Sequence, residues 1–291
     1  MPQVTANGIT LEYDTFGDAG QPALLLVMGL GAQMTMWDPV FCQLLADKGF
    51  HVIRFDNRDI GLSQALDHLP LDAAAVLAGD GSSAPYRLSD MADDAAALLT
   101  ELGVDRAHVV GASMGGMIVQ ELLIRHADRL LSACSIMSTT GDRSVGHATP
   151  EAMAALQAPP PQTAQEAGEA SIRASKAVGS PGFPFDEERA RANGIAAFER
   201  SRRPMGFLRQ FAAIIASGDR TEALRSVTTP TLVIHGEADP LVNISGGKAT
   251  AAAIPDSRLL TIPGMGHDLP IPAWPQIADA IADNAARSAA V

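Results

Sequence analysis

Residues 111–115 read Gly-Ala-Ser-Met-Gly. They stand between an apolar strand-like run, Ala107 to Val110, and a run of helical spacing from Gly115 to His126. A G-x-S-x-G pattern in that setting is the signature of a nucleophile elbow, a turn so tight that its outer positions have no room for a Cβ. The turn needs a strand to end and a helix to begin at the same point. It therefore selects a sheet with helices packed on it. Its geometry lifts Ser113 above the sheet and brings its hydroxyl to the start of the next helix, where free N–H groups stabilise negative charge.

The rest of the chain agrees with that frame. Ile9 to Phe16 alternates apolar and polar residues, as a half-buried strand does. Ala23 to Met28 is continuously apolar, as a strand covered on both faces would be. His51 to Phe55, Leu130 to Met137, Thr231 to His235 and Leu259 to Ile262 read as further strands. Helices are expected over Pro39 to Lys48, with Asp38 as cap, over Leu88 to Leu102, with Ser89 or Asp90 as cap, and over about Ala273 to Ala286. The alternation predicts a mostly parallel sheet flanked by helices on both faces. From about Ser138 to Ser217 no strand is expected. Helical pieces at Pro150–Leu156, Ala164–Val178, Glu187–Glu199 and Pro204–Ser217 lie between Pro and Gly breakers. The expected organisation is therefore a core of residues 1–137 and 218–291 with a helical cap, or lid, at 138–217. Phe183, Phe185, Phe198, Phe207 and Phe211 fall in the cap, and short helices need such side chains to pack against something. The mouth above Ser113 is the expected place.

Composition narrows the function. The 291 residues carry 33 acidic and 21 basic side chains, a formal net charge of −12, which disfavours nucleic acid and anionic membrane as partners. Two cysteines, Cys42 and Cys134, are too few for a disulfide framework or a zinc site. Residues 1–20 contain Glu12, Asp14 and Asp18 and no long apolar run, so no secretory signal is read there and a cytoplasmic protein is expected. No phosphate-binding glycine loop or metal-ligand cluster is evident, so no cofactor and no metal are implied.

A serine hydroxyl needs a general base, and in this arrangement the chain order is serine, acid, histidine. His51, His68 and His108 precede Ser113 and fail that order. His126 lies at a helix end, His147 in an irregular stretch, and His235 ends a strand. His267, in the loop Pro263-Gly264-Met265-Gly266-His267 after a late strand, is the candidate base. The acid should lie after the strand Thr231–His235, where both Glu237 and Asp239 stand; Asp239 reaches further and is followed by Pro240, so it is preferred. The oxyanion needs two N–H donors, expected from Met114, the residue after the nucleophile, and Leu30, in the loop after the strand Ala23–Met28. Met34, Trp37, Met117 and Met265 are expected to line an adaptable apolar pocket.

With Met28-Gly29-Leu30-Gly31, Asp56-Asn57-Arg58-Asp59-Ile60-Gly61-Leu62-Ser63, Gly111 to Gly115, His235 to Pro240 and Pro263 to His267 in view, the chain resembles the α/β-hydrolase superfamily. The likeness runs over nearly its whole length. It is most similar to the esterase and cofactor-free haloperoxidase-like branch, and within that to the methylesterases of anthracycline biosynthesis. Two positions depart from the wider pattern. Met28 stands where the family usually has His, and Asp59 where it usually has Gly. Relatives that use Asp as nucleophile are excluded by Ser113, and those needing cap tyrosines by the confinement of tyrosine to Tyr13 and Tyr86. The resemblance implies a serine hydrolase cleaving a small hydrophobic carboxylic ester through an acyl-enzyme. The alternatives are C–C bond, lactone or thioester hydrolysis or perhydrolysis at the same residues, and, more remotely, a small-molecule receptor on the same fold. The substrate and the oligomeric state, a homo-oligomer included, are left open.

Overall fold

A computed structural model describes residues 1–290. Eight strands form one sheet: β1 (Gln3–Ala6), β2 (Ile9–Phe16), β3 (Ala23–Val27), β4 (His51–Phe55), β5 (Ala107–Ala112), β6 (Leu130–Ile136), β7 (Thr231–Gly236) and β8 (Arg258–Ile262). The helices are α1 (Pro39–Ala46), α2 (Ala73–Leu77), α3 (Leu88–Glu101), α4 (Met114–Arg125), α5 (Pro150–Leu156), α6 (Ala164–Val178), α7 (Glu187–Arg200), α8 (Pro204–Ser217), α9 (Thr221–Leu224), α10 (Ile244–Ala253) and α11 (Trp274–Ala286). No described helix is long and apolar enough to cross a membrane.

The strand order is β1-β2-β4-β3-β5-β6-β7-β8. The β1–β2 and β2–β4 pairs are antiparallel, and every pair from β4 to β8 is parallel. All five β3 residues are buried, and successive ones face opposite sides of the sheet. Leu25 and Val27 join a core with α3 and α4, whereas Leu24 and Leu26 join one with α1 and α11. The order reverses at β3, whose neighbours β4 and β5 lie on opposite sides of it. Loops leaving the carboxyl ends of β3 and β5 therefore border one crevice, the usual ligand position in such sheets.

Residues 138–217 hold α5 to α8 and, among the described residues, no strand. α1 begins at its expected cap Asp38, and α5 and α6 begin at capping threonines that the sequence reading did not name. Asp38 accepts from Val40 N–H at 2.8 Å, Thr149 from Ala152 N–H, and Thr163 from Glu166 N–H. The start of α3 differs from expectation. Arg87 is the cap position, and Asp90, inside the first turn, reaches back to accept from Arg87 N–H at 2.7 Å. Four elements have no counterpart in the sequence reading: β1, α2, α9 and α10. β1 is a four-residue edge strand, and α10 contains Gly246-Gly247, a pair that argues against a helix.

Candidate active site

The sharp turn at Ser113 has clear steric causes. Ser113 has φ 57° and ψ −119°, a strained conformation for a residue with a Cβ. The glycines around it leave no alternative. A Cβ on Gly111 would stand 2.1 Å from Gly115 O, and one on Gly115 2.0 Å from Val27 O. Both neighbours are backbone and cannot step aside. Gly115→Ala should therefore destabilise the fold by about 3 kcal/mol or more, read as a lowered denaturant midpoint; a loss under about 1 kcal/mol would show that this approach is not rigid.

Ser113 O accepts from Gly116 and Met117 N–H and from Ser138 Oγ, so the elbow is tied to α4 and to the end of β6. Its Oγ lies 2.9 Å from His267 Nε2, within reach for direct proton transfer. His267 Nδ1 lies 2.7 Å from Asp239 Oδ2. The other oxygen, Asp239 Oδ1, accepts from Leu241 and Val242 N–H, each at 2.9 Å. The Asp239 and His267 side chains are both buried, whereas Ser113 is half-buried. Asp239 is thus held in place, and Ser113 keeps some exposure. Glu237, the other acid candidate, is exposed and accepts from Thr261 Oγ1 at 2.8 Å, away from this group.

His235 lies beside Asp239, its Nε2 3.6 Å from Asp239 Oδ2. It is fully buried, and its Nε2–H donates to Val242 O at 2.7 Å. Burial holds its pKa below the ordinary histidine value, against the opposing pull of the Val242 hydrogen bond and the Asp239 charge. It is therefore neutral and adds no second cation beside Asp239. Its ring occupies the space a Cβ on Gly247 would need, 2.4 Å from His235 Nδ1, which explains a glycine inside α10. The remaining histidines that follow Ser113 lie elsewhere: His126 meets Asp93 at 2.7 Å, and His147 is exposed.

The loop Met28–Ala32 runs beside the elbow. A Cβ on Gly29 would stand 3.1 Å from Ser113 Cβ. Among the described residues neither the Leu30 nor the Met114 N–H has a protein acceptor, which leaves both free to donate. Two residues after β4 hold this loop. Asn57 Nδ2–H donates to Met28 O at 2.9 Å, and buried Asp56 accepts from Met34 N–H at 2.7 Å.

The expected pocket residues divide. Met117 borders a cleft of about 300 Å³ with Thr139, Arg143, Ile214 and Ile215, one helical turn from Ser113. Met34, Trp37 and Met265 have no exposed surface at all, so they line no water-filled space. Trp37 stacks on Phe41 at 6.0 Å between centroids in the core under α1 and α11, and Met265 packs into the same core. The phenylalanines of residues 138–217 also depart from expectation. Phe185 is exposed beside Lys176 and Phe198 lies under Arg202, whereas Phe207 does press on the Leu30 loop at Gly31.

Several contacts to the site had no visible signal in the sequence because they come from residues 138–217. His267 N–H donates to Val178 O at 2.7 Å, and Gly266 N–H to Ser180 Oγ at 2.9 Å. Ser180 Oγ also meets Asp268, whose carboxyl burial raises above its ordinary value. Gly31 N–H donates to Gln210 Oε1 at 2.9 Å.

Residues 22–273 match the family described as the alpha/beta hydrolase fold. Rhodomycin D methylesterase DnrP of Streptomyces peucetius is 28% identical over 298 residues, covering 96% of this chain and 95% of the relative. 3-Oxoadipate enol-lactonase 2 of Acinetobacter baylyi is 29% identical, covering 88% of this chain and 86% of its own. The crystal structure of the enol-lactonase from Burkholderia xenovorans superposes over 100% of both chains with a TM-score of 0.70 at 24% identity, a likeness of fold.

Proposed function

The chain belongs to the alpha/beta hydrolase family, and from that membership we propose that it is a serine esterase acting on small hydrophobic carboxylic esters. The observation that carries the reading is the unbroken contact from Asp239 through His267 to Ser113, at 2.7 and 2.9 Å. His267 Nε2 takes the Ser113 proton as Oγ attacks the ester carbonyl carbon. The tetrahedral oxyanion is received by the Leu30 and Met114 N–H groups. His267 then gives its proton to the departing alcohol oxygen, leaving an acyl-Ser113 ester. Water, deprotonated by the same nitrogen, attacks that ester. The acid is released and Ser113 recovers its proton. Asp239 keeps Nδ1 protonated throughout and stabilises the imidazolium that forms.

The methylesterase relative supports an ester as substrate. The enol-lactonase relative favours a second reading, because a lactone is a cyclic ester and opens by the same steps. Residues 138–217 serve in this reading as the cap over the site, with the cleft at Met117 receiving part of the substrate. A series of p-nitrophenyl esters of increasing chain length, methyl esters of bulky polycyclic acids, and aliphatic lactones tests it. The esters should be cleaved with higher kcat/KM than the lactones. The reverse order would assign lactone hydrolysis, and no turnover of any of them would overturn the hydrolase reading.

A further inference from the structure

Helix α8 turns one face, carrying Gly206, Phe207, Arg209 and Gln210, onto the loops that follow β3 and β4. The approach is close. A Cβ on Gly206 would stand 2.0 Å from Asp59 O. Arg209 meets the Asp59 carboxylate at two points, 2.9 and 2.8 Å, with both side chains buried. Tyr86 Oη–H donates to the same carboxylate at 2.8 Å. Asp59 has φ 70°, a left-handed backbone that costs energy in a residue with a side chain. The ion pair offsets that cost and fixes the height and rotation of α8 over the loops.

The next residue is Gln210, whose side chain has no exposed surface. Its Nε2–H donates to Arg58 O at 2.8 Å, and its Oε1 accepts from Gly31 N–H at 2.9 Å. The amide can take only this orientation, because a backbone carbonyl only accepts and a backbone N–H only donates. Gly31 is the third residue of the turn Gly29–Ala32, closed by Ala32 N–H to Gly29 O at 3.3 Å, and its φ is 67°. A left-handed third residue belongs to a type II turn. The same four residues with negative φ there would form a type I turn, with the central Leu30–Gly31 peptide turned over. Glycine accepts both. Gln210 can accept from Gly31 N–H in only one of them.

We propose that Gln210 is a positioning residue for the oxyanion turn: bonded to Gly31 N–H on one side and to Arg58 O on the other, it pins the turn Gly29–Ala32 to the loop after β4 and so keeps Leu30, whose N–H belongs to the preceding Gly29–Leu30 peptide, in place for the oxygen that becomes negative when Ser113 attacks. The inference rests on the serine-hydrolase reading above. Gln210 touches no reacting atom and acts through Gly31, so its loss should weaken binding of the tetrahedral state and leave ground-state binding nearly alone.

Two variants and one inhibitor test this. Gln210→Met keeps the shape and removes both polar contacts. Gln210→Glu keeps an acceptor for Gly31 N–H but buries a carboxyl beside Arg58 O. On p-nitrophenyl acetate, Gln210→Met should lose about ten- to hundredfold in kcat, the cost of a misplaced but not deleted donor, with KM within about threefold. The inhibition constant for phenylboronic acid, which forms a tetrahedral adduct on the serine, should rise by the same factor. Gln210→Glu should lose less than Gln210→Met. Melting midpoints should fall in the opposite order, because a buried carboxyl costs more than a buried thioether. A packing role would make activity follow the midpoints, and that result would overturn the proposal. So would Gln210→Met within threefold of parental kcat. If Gln210→Met does not fold, Gln210→Leu and Gln210→Ala carry the same expectations, and failure of all three to fold assigns Gln210 to packing and overturns the proposal. An active parent with an unaffected Gln210→Met removes this inference alone. A parent indistinguishable from Ser113→Ala removes the hydrolase reading and this inference with it.

Discussion

Ser113→Ala is expected to lower ester turnover on the order of a millionfold, the scale on which loss of the nucleophile acts in Ser-His-Asp hydrolases, while leaving the melting midpoint almost unchanged. The two halves of this expectation come from different atoms. Apart from its contact with His267 Nε2, every bond that holds Ser113 is made by its backbone: N–H to Ile136 O, and O to Gly116, Met117 and Ser138. Alanine keeps those bonds and keeps the Cβ, so the strained φ of 57° is neither relieved nor worsened. What disappears is Oγ, the only atom at this position that can form the acyl bond. The check is steady-state turnover of p-nitrophenyl acetate beside a thermal melt. Residual activity within about tenfold of the parent would exclude Ser113 as nucleophile, and a melting midpoint lowered by more than a few degrees would show that the hydroxyl also holds the elbow together.

Local physics made much of this arrangement legible, and the exceptions share a cause. α5, α6 and α8 lie where the Pro and Gly breakers around them put them, at Pro150–Leu156, Ala164–Val178 and Pro204–Ser217. Ser113, Asp239 and His267, picked out by chain order and loop position, come together in space. What could not be read was decided by distant residues. α10 keeps Gly247 because the His235 ring occupies the space its Cβ would need, a fact invisible within the helix itself. Met34, Trp37 and Met265 were expected in the pocket because they neighbour site loops in sequence. Burial is a separate matter: all three are fully buried, and Trp37 and Met265 belong to the core under α1 and α11. Gln210 lies 179 positions from the Gly31 it bonds, on a helix whose apolar pattern marked it only as part of a cap. The close docking of α8 also bears on the expected cap. An element that donates, accepts and pairs into the loops after β3 and β4 is part of the site's frame. Changes along the inner face of α8 should therefore reach the chemical step as well as substrate preference.

Asp239→Asn should cost about ten-thousandfold in turnover, through the position of a single proton. The direction follows from the three bonds the carboxylate makes. Oδ1 accepts from two backbone N–H groups, Leu241 and Val242, at 2.9 Å each. Oδ2 accepts from His267 Nδ1 at 2.7 Å. An asparagine in this slot must keep its oxygen towards the two backbone donors, because an NH2 there would face two N–H groups with nothing to accept from it. Its nitrogen then faces His267 and donates to Nδ1. The imidazole proton is driven to Nε2, the atom 2.9 Å from Ser113 Oγ, which can no longer accept the serine proton. His235 cannot take over, since its Nε2–H is committed to Val242 O and burial keeps it neutral. Glu237→Gln is the matched control. Glu237 is exposed and only accepts from Thr261 Oγ1, a bond glutamine reproduces, so turnover should stay within about twofold. Steady-state kinetics on p-nitrophenyl acetate decide between the two acids. A large loss in Glu237→Gln with a small one in Asp239→Asn would move the acid to Glu237 and displace the contact from which the reading is built.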